Sequence, residues 1–395
     1  MVSSFRTPIT HALLVLTAAL VVLAGCASRP EVGALALNTA PADGAASHNI
    51  LIVTTRAKDE RPGTYFNGER ADQVNYAEAT ISVPPTHKPG SIEWPAILPG
   101  DPAKNFVARG AAYLPSEQAF KTRLNQELMK RPRKDREVFL FIHGYNTLFA
   151  ESLYRFVQFT HDADQTAVPV LFTWASRGRL QDYLYDLNSA AIARDALEKT
   201  LIDLADSKAD HITILAHSMG NYLLMETIRQ MPLSLRHKLQ RKIHYVVLAA
   251  PDIDIDLFKA NLRRLGTIDK PFVVVLSRDD RALRLSRALS GGVERLGAFS
   301  EDDELVELGA IVIDVTDLKA EDAAHHSKFA SLAEFSPELQ RALANGSLTS
   351  ASSAEGPRDL GTDLGSFVGN TAQTAVTLPI RIITAPVRIA TGGAP

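Results

Sequence analysis

The sequence predicts an α/β fold: a mostly parallel central sheet with helices on both faces and an antiparallel lead-in at the N-terminal side. From Glu137 onward, short β-branched runs alternate with amphipathic stretches of helical period, the pattern of strands joined by crossover helices. The strand runs are continuous in Val, Ile, Leu or Phe, so the sheet is expected to be covered on both faces. Setting both ends of the chain aside leaves about 300 residues, the upper range for one core.

The strands read as Glu137–Ile142, Val168–Thr173, His211–Leu215, Ile243–Ala249, Phe272–Ser277 and Ala310–Val315. Between and after them, helices are expected over Leu148–Asp162, Asn188–Asp206, Asn221–Met231, Asp254–Leu265, Arg281–Leu296 and Ser327–Ala344. Right-handed crossovers leave every parallel strand's carboxyl end on one edge, where ligands of such sheets bind. Upstream, Leu51–Thr54 and Ala79–Val83 read as strands among turn residues and Pro84, Pro85, Pro95 and Pro99. That region is expected to form the antiparallel lead-in, with a loop over the active edge.

Hydrophobic residues make up 46% of the chain and charged residues 22%, with a formal charge of −3. A nucleic-acid partner is not expected, because phosphate binding demands a basic excess. The basic runs Lys130–Arg136 and Arg236–Lys242 fall between elements and read as solvated loops or helix ends.

Arg6 and the apolar run Ala12–Ala24 read as a secretion signal, since the run is too short to span a bilayer. Leu23-Ala24-Gly25-Cys26 resembles the lipobox of bacterial lipoproteins, and Cys26 is the single cysteine, which no internal disulfide can use. The expectation is an exported, membrane-anchored lipoprotein with a signal over 1–25 and a lipidated tether over 26–47. The folded domain is expected over 48–344 and a low-complexity tail over 345–395. Ala27-Ser28 after the cysteine is similar to the pattern of lipoproteins held at the periplasmic face of the outer membrane. In the tail, Pro379 and Pro386 exclude a regular helix or central strand across Val376–Ala390, so loose docking is expected.

The chemistry is concentrated at strand ends. Ile212-Thr213-Ile214-Leu215-Ala216-His217-Ser218-Met219-Gly220-Asn221 is a β-prone run that stops at a serine before a helix-forming stretch. A sharp strand-to-helix turn lifts such a serine clear of the backbone as a nucleophile, and the residues two before and two after must be small. Ser218 also suits a plain helix N-cap. The loop His143-Gly144-Tyr145 follows an earlier strand, and its glycine lets a backbone N–H approach a reacting carbonyl. The N–H groups of Tyr145 and Met219 are therefore the expected oxyanion donors. His143 reads as a loop-shaping hydrogen-bonder.

A base is expected after the last strand, where His325 and His326 are adjacent and diverge on an irregular loop. An orienting acid is expected after Phe272–Ser277, where Asp280 is chosen with Asp279 close behind; Asp252, after Ala249-Ala250-Pro251 on the preceding strand, is a third option, and one of the adjacent aspartates is expected to be only a turn or cap residue. A metal site at the paired histidines lacks a third ligand at the usual spacing. No cofactor is expected.

Taken together, Val53-Thr54-Thr55-Arg56, Phe66-Asn67-Gly68-Glu69-Arg70, Ile81-Ser82-Val83-Pro84, Phe141 to Asn146, Thr173-Trp174, Ala216 to Asn221, Leu248 to Asp252 and His326-Ser327-x-Phe329 carry a resemblance. The chain resembles the α/β-hydrolase superfamily, and more closely a group of bacterial esterase-like lipoproteins of unassigned substrate, over about Ile50 to Ala344. The resemblance implies His326 as base, directly ahead of Ser-x-Phe, with His325 in reserve. His325 stands where it leads one to expect a small residue and Lys328 where it leads one to expect an aromatic. It implies a serine-hydrolase fold and supplies no substrate; the leading expectation from the site residues is a cofactor-free carboxylic-ester hydrolase acting on a small ester or lipid-like substrate. The other functions are an acyltransferase using the same residues, and a non-catalytic surface lipoprotein that keeps the scaffold as a binding module. Tyr145, Trp174 and Tyr222 are expected near the catalytic edge.

Overall fold

The computed structural model describes residues 29–265, 270–320, 322–335 and 380–383. Cys26 and the apolar run before it lie outside the described residues, as do residues 384–395 and all of the tail before 380. Among the described residues ten strands form one sheet in the order β10-β9-β8-β7-β6-β4-β5-β1-β2-β3. β1 (Ala46–Asp59), β2 (Tyr65–Val83) and β3 (Val107–Leu114) make an antiparallel meander, and β1 joins the rest by pairing parallel with β5 (Val168–Thr173). β4 (Glu137–Ile142), β6 (His211–His217), β7 (Ile243–Ala249), β8 (Phe272–Leu276) and β9 (Ile311–Asp314) continue the parallel set. The expected architecture, including the antiparallel N-terminal side, is the one observed.

Two apolar layers cover the sheet, and β4 shows why its sequence is continuous rather than alternating. Val138, Leu140 and Ile142 enter one layer while Phe139 and Phe141 enter the other, as the two-residue strand period requires. The first layer holds α1 (Glu117–Met129), α3 (Tyr183–Ile192), α4 (Arg194–Asp206), α5 (Met219–Gln230), α6 (Leu233–Gln240) and α7 (Ile255–Leu265). The second holds α2 (Phe149–Asp162) together with Ala34 and Leu35. Two further helices, α8 (Arg281–Leu289) and α9 (Asp302–Glu307), lie around β8 and β9 in the chain.

Several expectations are corrected. The helix expected over Asn188–Asp206 starts at Tyr183 and is two helices, interrupted at Ala193, whose N–H is shared between the Ser189 and Ala190 carbonyls. α8 stops at Leu289 rather than Leu296, because Gly291 and Gly292 adopt φ of +91° and +85°, a backbone that ends a right-handed helix. The described part of the segment after His326 is a 3-10 turn over Lys328–Phe335. α1 and α6 were not expected, although Ser116 caps α1 and Phe120, Leu124 and Leu128 form its buried stripe.

The loop expected over the active edge lies along α2 instead. His87 bridges Glu93 and Asp162 at 2.8 Å each, and Arg155 donates to the Gly90 carbonyl at 2.8 Å. Within the segment read as a tether, Leu35 is 1% exposed and the Tyr154 hydroxyl donates to the Ala34 carbonyl at 2.7 Å. Within the segment read as a tail, β10 (Arg381–Ile383) pairs antiparallel with β9 and buries Ile382.

Candidate active site

The ends of four parallel strands, β4, β6, β8 and β9, build the site. β6 delivers Ser218 directly before α5, with φ 53° and ψ −125°. A non-glycine residue held there costs on the order of 1–3 kcal/mol, offset by a fixed surrounding. The Ser218 N–H donates to the Ala249 carbonyl at 3.0 Å, and its own carbonyl accepts from Asn221 N and Asn221 Nδ2 at 3.0 and 3.1 Å. The small residues around it are obligatory. A Cβ on Gly220 would stand 2.5 Å from the His143 carbonyl oxygen, and one on Gly144 would stand 2.6 Å from Ser218 Cβ.

The loop after β4 therefore presses its backbone against the serine, and a buried network shapes it. His143 Nδ1 donates to the Gly144 carbonyl at 2.8 Å, while Nε2 accepts from Thr173 Oγ1 at 2.8 Å and Trp174 N at 3.1 Å. Burial, reinforced by the Arg56 charge, drives the His143 pKa well below the ordinary imidazole value, so the ring is neutral, in keeping with one donating and one accepting nitrogen. Arg56, fully buried, donates to the carbonyls of Thr147, Ser176 and Asn67 at 2.8, 2.7 and 3.1 Å. Asp186 accepts from Asn146 N at 3.1 Å. Among the described residues the N–H groups of Tyr145 and Met219 have no acceptor, so both are free to serve a ligand.

From the turn after β8, Asp280 caps α8 through Leu283 N at 2.9 Å and accepts from His326 Nδ1 at 2.7 Å. The carboxylate is fully buried. Beside this pair runs a second one: His325 Nδ1 meets Asp279 Oδ2 at 2.7 Å, and Lys328 Nζ meets Asp279 Oδ1 at 2.7 Å. The two histidines diverge, each to its own aspartate. Ser218 and His326 line one cavity of about 320 Å³, which neither His325 nor Asp279 lines. Asp252 also lines it, but its carboxylate accepts from Ser286 Oγ at 2.6 Å and faces Arg295 Nε at 3.2 Å. The alternatives His325, Asp279 and Asp252 are thus engaged elsewhere.

Burial opposes a charge on His326, but the Asp280 carboxylate, aided by Asp252 and Asp322, outweighs it and raises the imidazole pKa. No hydrogen bond joins Ser218 to His326 among the described residues, as is common for such pairs without a ligand.

A family of alpha/beta hydrolases of unknown function (DUF900) matches residues 116–343. The chain belongs to that family. The match begins at the Ser116 cap of α1 and includes Ser218, Asp280 and His326. The β1–β3 meander that supplies Arg56 lies before it. A search of curated proteins finds no match.

The rest of the cavity wall escaped sequence reasoning. Arg29, Arg155, Tyr183, Leu285 and Leu289 line it, drawn from segments far apart in the chain with no local motif. His217 was quoted only as a neighbour of the nucleophile, yet its ring packs on His326 and Phe329 with centroids 4.7 and 4.3 Å away. Tyr145 stands at the catalytic edge as expected and lines the cavity. Trp174 also stands at that edge, fully buried and stacked on His143 at 5.0 Å, but does not line the cavity. Nor does Tyr222, which packs against the helical layer.

Proposed function

We propose that this hydrolase cleaves carboxylic esters through an acyl-enzyme, with Ser218 as nucleophile, His326 as base and Asp280 as orienting acid. The observation that carries the reading is a strained serine and an aspartate-bonded imidazole on one cavity wall. Ser218 Oγ attacks the ester carbonyl while His326 Nε2 takes its proton. Asp280 holds the opposite nitrogen and stabilises the imidazolium that forms. The N–H groups of Tyr145 and Met219 receive the oxyanion. His326 then returns the proton to the departing alcohol, and a water activated by the same imidazole releases the acid. An alcohol in place of that water makes the reaction an acyl transfer.

The signal-like N-terminus supports export and lipidation at Cys26, on the periplasmic face of the outer membrane. On a panel of esters of graded acyl length, Ser218→Ala is expected to lower kcat by about 10⁴-fold or more while the circular dichroism spectrum is unchanged. Equal turnover by the variant on every cleaved ester would remove Ser218 as nucleophile, and cleavage of no ester by the wild type would leave a binding module.

A further inference from the structure

We infer that the cavity mouth docks on the membrane leaflet that holds the Cys26 anchor, and that the substrate is an acyl ester resident in that bilayer. This rests on the hydrolase reading and on lipidation of Cys26. The anchor and the cavity are neighbours by chain length. Arg29 lines the cavity, donating to the Asn146 carbonyl at 2.8 Å, to Asn146 Oδ1 at 2.7 Å and to the Gly178 carbonyl at 2.8 Å, and it pairs with Glu151. From Cys26 to Arg29 the backbone spans at most about 11 Å. The backbone of the proposed anchor residue therefore lies no farther than about that distance from Arg29 on the cavity wall.

The mouth itself has an interfacial composition. Leu180, Leu285 and Leu289 line the cavity yet remain 61%, 50% and 55% exposed. Leu184, just past the cavity residue Tyr183, is 71% exposed. A cluster of leucines at a cavity rim marks an interaction surface rather than scattered surface apolarity. In α8, Leu283 and Ser286 are buried, while Leu285 and Leu289 face outward beside the exposed Arg281, Arg284 and Arg287. The helix carries no acidic residue. Leucines with arginines on one exposed helix suit acyl chains beneath anionic headgroups. Among the described residues no helix is long and apolar enough to cross a membrane, so the contact is peripheral. Arg179, beside Leu180, already has Glu31 at 3.6 Å and is not needed for the contact.

The test uses the full chain with its anchor, in vesicles of phosphatidylethanolamine and phosphatidylglycerol. A fluorogenic long-chain acyl ester is dissolved in the bilayer, and a butyrate ester is supplied in solution. Leu184→Asp combined with Arg287→Glu changes two residues outside the cavity wall. The double variant should keep soluble-ester turnover within about twofold and lose bilayer-ester turnover by about tenfold or more. A fluorophore on Leu184→Cys, with Cys26 blocked by its lipid, should be quenched by bilayer-embedded quenchers. Equal bilayer-ester turnover in wild type and double variant, or no quenching, overturns the docking. Ser218-dependent cleavage of the soluble ester alone also overturns it while leaving the hydrolase reading intact. Cleavage of neither ester counts against the hydrolase reading, and quenching then decides the docking by itself.

Discussion

His326 sits between two opposing pressures, burial that favours the neutral ring and carboxylates that favour the charged one, and the carboxylates prevail. A base works only when unprotonated, so a raised pKa moves the acidic limb of kcat/KM above about pH 6.5, the ordinary imidazole value. Replacing Asp280 by Asn removes the largest charge on the raising side. The limb should shift to lower pH while kcat falls by about 10⁴-fold; a limb that stays in place would show that another carboxylate governs the ring. The candidate site was legible at this scale because each proposed role falls at a strand end in chain order. Which histidine pairs with Asp280 was not readable from spacing, because His325 and His326 stand on equivalent ground until the paths of their rings are known. Lys328 and His325, departures from the resemblance, prove to be two of the three side chains that bond to Asp279, Ser277 being the third. The His326 ring is left to bond Asp280.

At the scale of elements, doubly buried strands announce themselves and half-exposed ones do not. β4, β5 and β7 match the sequence reading to the residue. β1 and β2 were each read as a short core, because Glu69, Arg70, Asp72 and Gln73 on the far half of β2 are exposed and polar. The chain between β2 and β3 had no periodicity to read, and a titratable clamp holds it. Burial alone would lower the His87 pKa, but Asp162 and Glu93 raise it to about 9. The folded pKa exceeds the unfolded one, so the clamp's stabilisation is complete below about pH 6.5 and is lost as pH rises through about 9. Denaturant midpoints of wild type and His87→Gln should differ most near pH 6 and converge by about pH 10. A gap that widens with pH would reverse the sign and refute the clamp.

The whole molecule closes its sheet with segments that composition marked as loose. Leu35 is held in the second layer at 1% exposure, and Ile382 completes the opposite edge through β10. Ala34 and Leu35, two adjacent buried residues in an Ala- and Pro-rich stretch, carry no period, and this is why the N-terminal strap went unread. If the strap belongs to the core, Leu35→Ala should cost about 2–5 kcal/mol of unfolding free energy in a denaturant titration. A cost near zero would make it a passive tether. The cavity likewise exists only at this scale, since Arg29, α2, α8 and the loops after β4 and β9 must all be in place to enclose it. The central claim is that this enclosure activates one hydroxyl. Labelling with a fluorophosphonate, followed by peptide mapping, reads that hydroxyl directly. One adduct on Ser218, absent in Ser218→Ala and formed far more slowly in His326→Gln, is the predicted result; no adduct, or an adduct formed at the same rate without His326, would contradict it.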